Sequence, residues 1–215
     1  MKLGVFDSGI GGRAIAASLQ VAFPAAELVV VDDHEHVPYG DRSAEEIIRL
    51  TDTAIQPLLA AVCDIIIIAC NSATAAAIET LRERYPNQKF IGLEPMVKPA
   101  ATLTHTGTVT ICATPATLRS GRYSRLKQRF ARGITLLEPD CSNWARMIEN
   151  DDVNERLIRN TIESSLENGA DVIVLACTHY HWIKKEIEEI ADGRAKVIDP
   201  SDAIARRVRS LLESS

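Results

Sequence analysis

The chain has 215 residues, 46% of them hydrophobic and 25% charged, the make-up of a globular protein with enough core to fold without staples. Twenty-four Lys and Arg against 29 Asp and Glu leave a formal charge of −5, which excludes an overall basic footprint for nucleic acid. The longest apolar runs, residues 65–70 and 172–177, are far too short to span a bilayer, and Asp7 arrives before a signal-peptide core could form. A cytoplasmic protein is expected, with no membrane partner. Its five cysteines, an odd number with no CxxC pair, then read as free thiols.

In chain order, strands are predicted over residues 3–6, 28–31, 65–69, 90–93, 108–112, 134–137, 172–176 and 196–198. Their hydrophobicity is continuous rather than alternating, as in parallel strands covered by helices on both faces. Ser43 with Glu46 forms a capping box, opening a helix that Pro57 should kink or break. Asp152 with Glu155 marks another helix start, and Ser201 or Asp202 caps a last helix with Ile204, Val208, Leu211 and Leu212 on one face. The alternation predicts an α/β fold.

An internal repeat organises these elements. The run from Asp64 to Cys70, DIIIIAC, returns as DVIVLAC from Asp171 to Cys177, displaced by 107 residues. The same displacement relates Asp7 to Thr114 and Val30 to Leu137. One β/α module thus occurs twice: residues 1–95 with 200–215 make an N-terminal domain, and residues 96–199 a C-terminal one. Ligands of open parallel sheets bind at the carboxyl ends of the strands, so two such ends face to face would enclose one site.

Cys70 and Cys177 each stand where an apolar strand gives way to a polar helix start, Asn71-Ser72-Ala73-Thr74 and Thr178-His179-Tyr180. A helix N-terminus there should favour thiolate and lower the thiol pKa. One such cysteine is most simply a small strand hydrophobe, but two at equivalent repeat positions point to chemistry. Cys63, Cys112 and Cys141 lack this context and read as structural. Two matched thiols suit inversion at a tetrahedral carbon, which needs a base on one face and an acid on the other. A zinc site would need further soft ligands at motif spacing, and none stands there.

Several segments carry a resemblance: Gly4-Val5-Phe6-Asp7-Ser8-Gly9-Ile10-Gly11-Gly12, Val37-Pro38-Tyr39-Gly40, Ala69-Cys70-Asn71-Ser72-Ala73-Thr74-Ala75, Thr114-Pro115-Ala116-Thr117-Leu118-Arg119-Ser120 with Tyr123, and Leu175-Ala176-Cys177-Thr178-His179-Tyr180. In this order and spacing the chain resembles the cofactor-independent aspartate/glutamate racemases, and His179 after Cys177-Thr178 resembles the glutamate branch. The resemblance implies two similar domains with the active site between them, and no cofactor or metal. It implies Cys70 and Cys177 as acid and base on opposite faces of Cα, Asp7 assisting Cys70, and His179 and Glu149 assisting Cys177. Ser8, Asn71, Ser72, Thr114, Thr117 and Thr178 would hold the carboxylates and amine, with Pro38, Tyr39 and Gly40 near the distal carboxylate. The implied reaction interconverts L- and D-glutamate, supplying D-glutamate for peptidoglycan, and a homodimer is admitted. The chain departs from the family in being short, in His181 where a proline is usual, and in Ser72 where threonine is more frequent.

Four other readings compete. An aspartate or broader amino-acid racemase shares the motifs, and an amino-acid-binding module would share the fold without needing both thiols. Gly9-Ile10-Gly11-Gly12-Arg13-Ala14 fits a dinucleotide-binding turn, but Asp7 before it would repel pyrophosphate and the second module has no glycine counterpart. Asp32-Asp33-His34-Glu35-His36 has the composition of a metal cluster, yet consecutive loop residues cannot all converge on one ion. The run Arg119, Arg122, Arg125, Lys127, Arg129 and Arg132 reads as a solvated face.

Overall fold

The computed structural model describes residues 1–213; residues 214 and 215, assigned above to the first domain, lie outside the described residues. The first half runs β1 (Lys2–Asp7), α1 (Gly11–Ala22), β2 (Glu27–Asp32), α2 (Ala44–Ala54), α3 (Gln56–Ala60), β3 (Ile65–Ile68), α4 (Asn71–Arg84) and β4 (Lys89–Gly92). The second runs α5 (Val97–Leu103), β5 (Thr108–Ala113), α6 (Pro115–Arg119), α7 (Gly121–Phe130), β6 (Thr135–Leu137), α8 (Trp144–Glu149), α9 (Glu155–Glu167), β7 (Val172–Ala176), α10 (Lys184–Ala191) and β8 (Lys196–Ile198). Helix α11 (Ser201–Glu213) closes the described chain.

All strand pairs are parallel, in two four-stranded sheets ordered β2-β1-β3-β4 and β6-β5-β7-β8. The second order is the first with every strand moved on by four, so the repeat seen in sequence is also one of topology. The continuous apolar runs have the expected cause. Ile65, Ile66, Ile67 and Ile68 are all fully buried, two toward each face of the sheet, and each contributes roughly 1.5–3 kcal/mol. Helices α2 and α4 cover one face of the first sheet with Leu50, Ile47, Ile78 and Leu81. On the other face, Ile15 and Leu19 of α1 meet Ile204 and Val208 of α11. The last helix therefore returns to the core of the first half, with Ile204, Val208 and Leu211 inward and Leu212, expected on the same face, exposed.

Local signals held, with two shifts. Ser43 Oγ accepts from the Glu46 N–H at 3.2 Å, and Pro57 stands in the first turn of α3, where its missing N–H costs nothing. The helix expected from Asp152 opens two residues later: Asn154 takes the cap and its Oδ1 accepts from the Leu157 N–H at 3.0 Å. An Asx side chain one helical turn before that amide has the reach that Asp152 lacks. At α11 the expected caps, Ser201 and Asp202, lie inside the first turn, and it is the Asp199 carboxylate, reaching from before the helix, that accepts from the Ser201 N–H at 2.9 Å. Among the described residues no helix is long and apolar enough to cross a membrane.

Candidate active site

The carboxyl ends of the central strands β1, β3, β5 and β7 converge on one small cavity. Ser8, Pro38, Tyr39, Gly40, Cys70, Asn71, Ser72, Thr114, Ala145, Cys177, Thr178 and His179 line it. All but Ala145 were singled out in the sequence. Both thiols are buried, one from each half of the chain. Asp7, Thr117 and Glu149 stand one step behind the wall, each bonded to a lining residue. Ala145, on α8, had no sequence signal, because an alanine offers no chemistry until the fold places it.

Cys70 is the N-cap of α4, and its Sγ accepts from the Ala73 N–H at 3.4 Å. Ser8 Oγ donates to the same sulfur at 3.3 Å and lies 3.4 Å from Asp7 Oδ1. Asp7 thus reaches the thiol through Ser8. The helix terminus and Ser8 do favour the thiolate, as expected from sequence, but they do not decide the outcome. Burial, then the nearby Asp7 charge, push the thiol up to about 12. Burial likewise raises Asp7 itself, against the pull of His179.

Cys177 differs. The chain after it forms a 3-10 turn over Thr178–Ile183, and its sulfur makes no cap bond to a backbone amide. The tighter turn brings the side chain two residues on back over the thiol, with His179 Nδ1 3.6 Å from Sγ. His179 Nε2 lies 2.5 Å from Glu149 Oε1, which also accepts from the Ile10 N–H at 2.9 Å. Burial alone would lower His179, but the bonds to Cys177 and Glu149, aided by the Asp7 charge, carry it up to about 11. Burial also opposes ionisation of Glu149, yet His179 and the Ile10 amide hold its carboxyl below the usual range.

The remaining candidates form a hydroxyl chain between the halves. Ser72 Oγ and Thr114 Oγ1 are 2.9 Å apart, and Thr114 donates to Thr117 Oγ1 at 3.1 Å. Asn71 donates to the Leu93 carbonyl, while its Oδ1 is buried without a partner among the described residues. Tyr39 donates its hydroxyl to Asp33 at 2.6 Å, so its backbone, not its phenol, is left for a ligand. Asp33 also holds His36, and Asp32 holds Arg13, so the acidic–histidine loop is tied up internally. Arg122 and Arg125 of the basic run pair with Glu79, and Lys127 with Glu138. Gly11 lets the first half approach the second: a Cβ there would fall 2.5 Å from Thr178 Cβ. So closed is the cleft that the cavity holds about 10 Å3, near the room of a single water.

Similarity to known proteins extends over most of the chain. The family model described as Asp/Glu/Hydantoin racemase matches residues 13–208. The chain belongs to that family. The glutamate racemase of Pseudomonas aeruginosa strain UCBPP-PA14 is 37% identical over 216 residues, covering 99% of this chain and 82% of its own. That of Sulfurovum sp. strain NBC37-1 is 39% identical over 220 residues, covering 99% and 83%. Among solved structures, Escherichia coli glutamate racemase in complex with L-glutamate and the activator UDP-MurNAc-Ala aligns with a TM-score of 0.90 at 26% identity, over 99% of this chain and 82% of that one.

Proposed function

We propose that this racemase interconverts L- and D-glutamate without a cofactor, using Cys70 and Cys177 as the two proton-transfer groups. The observation that carries the reading is the placement of two thiols, one from each half, on the wall of a single buried cavity. A thiolate on one side takes the Cα proton and becomes a thiol. The thiol opposite gives its proton to the other face and becomes a thiolate. Proton count is conserved, configuration inverts, and the enzyme is left poised for the reverse direction.

Burial and the Asp7 charge favour the protonated form of Cys70, the form that delivers a proton to Cα in one of the two directions. His179 Nδ1, 3.6 Å from the Cys177 sulfur, is placed to partner that sulfur as it takes and gives the Cα proton. Ser8, Asn71, Ser72, Thr114, Thr117 and Thr178 offer hydroxyl and amide partners for the carboxylates and amine, with Pro38, Tyr39 and Gly40 at the far end. Donors fixed before reaction stabilise the negative charge that develops as Cα–H breaks. Because the closed cavity is so small, the halves, residues 1–95 with the closing helix and residues 96–199, must part to admit substrate and shut again for chemistry. The cytoplasm, where D-glutamate for peptidoglycan is needed, fits this chemistry.

Incubation with L- and D-glutamate in deuterium oxide tests the reading, following Cα exchange and optical rotation. Deuterium at Cα with loss of rotation from both enantiomers is expected. Exchange of aspartate alone would move the substrate to the shorter dicarboxylate, and exchange of no amino acid would leave a binding module.

A further inference from the structure

Glu149 sits on α8 in the second half, yet two of its neighbours belong to the first. Its Oε1 accepts the Ile10 N–H at 2.9 Å, across 139 residues of chain. The same oxygen lies against the bare Cα of Gly9, where a Cβ would stand 2.0 Å from it and 2.9 Å from His179 Nε2. No side chain other than hydrogen fits at Gly9 while Glu149 holds His179. Cys70, by contrast, has all its bonded partners within its own half.

We propose that the Gly9–Ile10 turn is a closure sensor for the second thiol: shutting the cleft seats Glu149 on the Ile10 amide and against His179, so the proton partner of Cys177 is complete only in the closed state. The proposal rests on the two-thiol reading and adds to it a positioning role for a turn that touches no substrate. An enzyme built this way holds one thiol incompletely partnered while the cleft is open to water, and completes it when substrate is enclosed. The ionisable groups facing the Glu149–His179 pair are Asp7 from β1, Cys177 beyond β7 and, at longer range, His34 after β2.

The test is a double-mutant cycle with Gly9→Ala and Glu149→Gln, read as kcat and KM across pH. The clash in Gly9→Ala falls first on the free end of Glu149 at 2.0 Å and then on His179 Nε2 at 2.9 Å and Val37 Cγ2 at 3.0 Å, so the carboxylate should swing away, with small shifts of the imidazole and Val37, while the fold persists. Each single variant is expected to lower kcat about 100-fold with KM changed by less than about threefold. Without its carboxylate partner His179 loses its proton earlier, so the alkaline limb should move down by about one pH unit or more in both. The double variant should be no worse than the poorer single one, because both remove the same contact. Additive losses, or a Gly9→Ala enzyme with wild-type kcat and pH profile, would overturn the proposal. Should Gly9→Ala not fold, the wild-type Ile10 amide proton decides the matter: it should shift on saturation with glutamate together with the His179 ring proton, and an amide that ignores substrate refutes the sensor. A Cys177→Ser enzyme that still racemises would sink the two-thiol reading itself, a result distinct from either of these.

Discussion

The repeat places Cys70 and Cys177 at equivalent strand ends, but their surroundings are unlike. Cys70 caps a long α-helix and is held by Ser8 Oγ and the Ala73 amide, all from the first half. Cys177 opens a 3-10 turn, has no cap bond, and faces an imidazole that Glu149 ties to the first half through Ile10. Duplication supplies two copies of a thiol-bearing strand end; it does not supply two copies of the proton environment. The proposed reaction exchanges acid and base between the thiols with direction, so unlike surroundings do not require unlike chemistry.

The largest expected effect comes from erasing either member. Cys70→Ser and Cys177→Ser should each lower racemisation about 1000-fold or more, measured by loss of optical rotation. Near-normal turnover in either would mean the sides are not interdependent. Next, Glu149→Gln should lower kcat about 100-fold and fall off further as pH rises, because His179, left with Cys177 and Asp7 alone to hold its proton, gives it up at lower pH than about 11. A uniform loss at all pH values would show that Glu149 does not act through His179.

A stability prediction concerns the link between β8 and α11. Lys184 and the Ser201 amide hold the Asp199 carboxyl down to about 2, below its unfolded value near 3.9, despite burial that works the other way. A depressed carboxyl contributes stability above its unfolded pKa and loses it as pH falls through the folded one. Asp199→Asn should therefore cost about 2 kcal/mol at pH 7 in denaturant unfolding, and the gap from wild type should close between about pH 4 and pH 2. The smallest effect belongs to Ser8→Ala. Removing a donor to the Cys70 sulfur should push that thiol still higher and lower kcat about tenfold, leaving the His179 limb of the pH profile in place.

Much of the architecture was legible because its causes are local. Runs such as Ile65–Ile68 can be satisfied only between two helical layers, and Ser43 or Pro57 act on amides within a turn of themselves. The site was legible wherever chemistry-bearing residues followed a strand directly, as Cys70, Thr114 and Cys177 do. What escaped depended on distance or on summed fields. Ala145 reaches the cavity only because α8 lies beside the turn after β7. The thiol of Cys70, which its helix terminus alone should have lowered, is raised because burial and Asp7 outweigh two hydrogen bonds.

Sequence by itself determined two sheets of one topology and a pair of thiols 107 residues apart, since hydrophobic runs, caps and repeats are written in neighbouring residues. The tertiary structure decided how those thiols differ. Burial, a carboxylate contact spanning 139 residues and a cleft closed to about 10 Å3 exist only once both halves meet, because electrostatic and steric terms depend on separation in space and not along the chain.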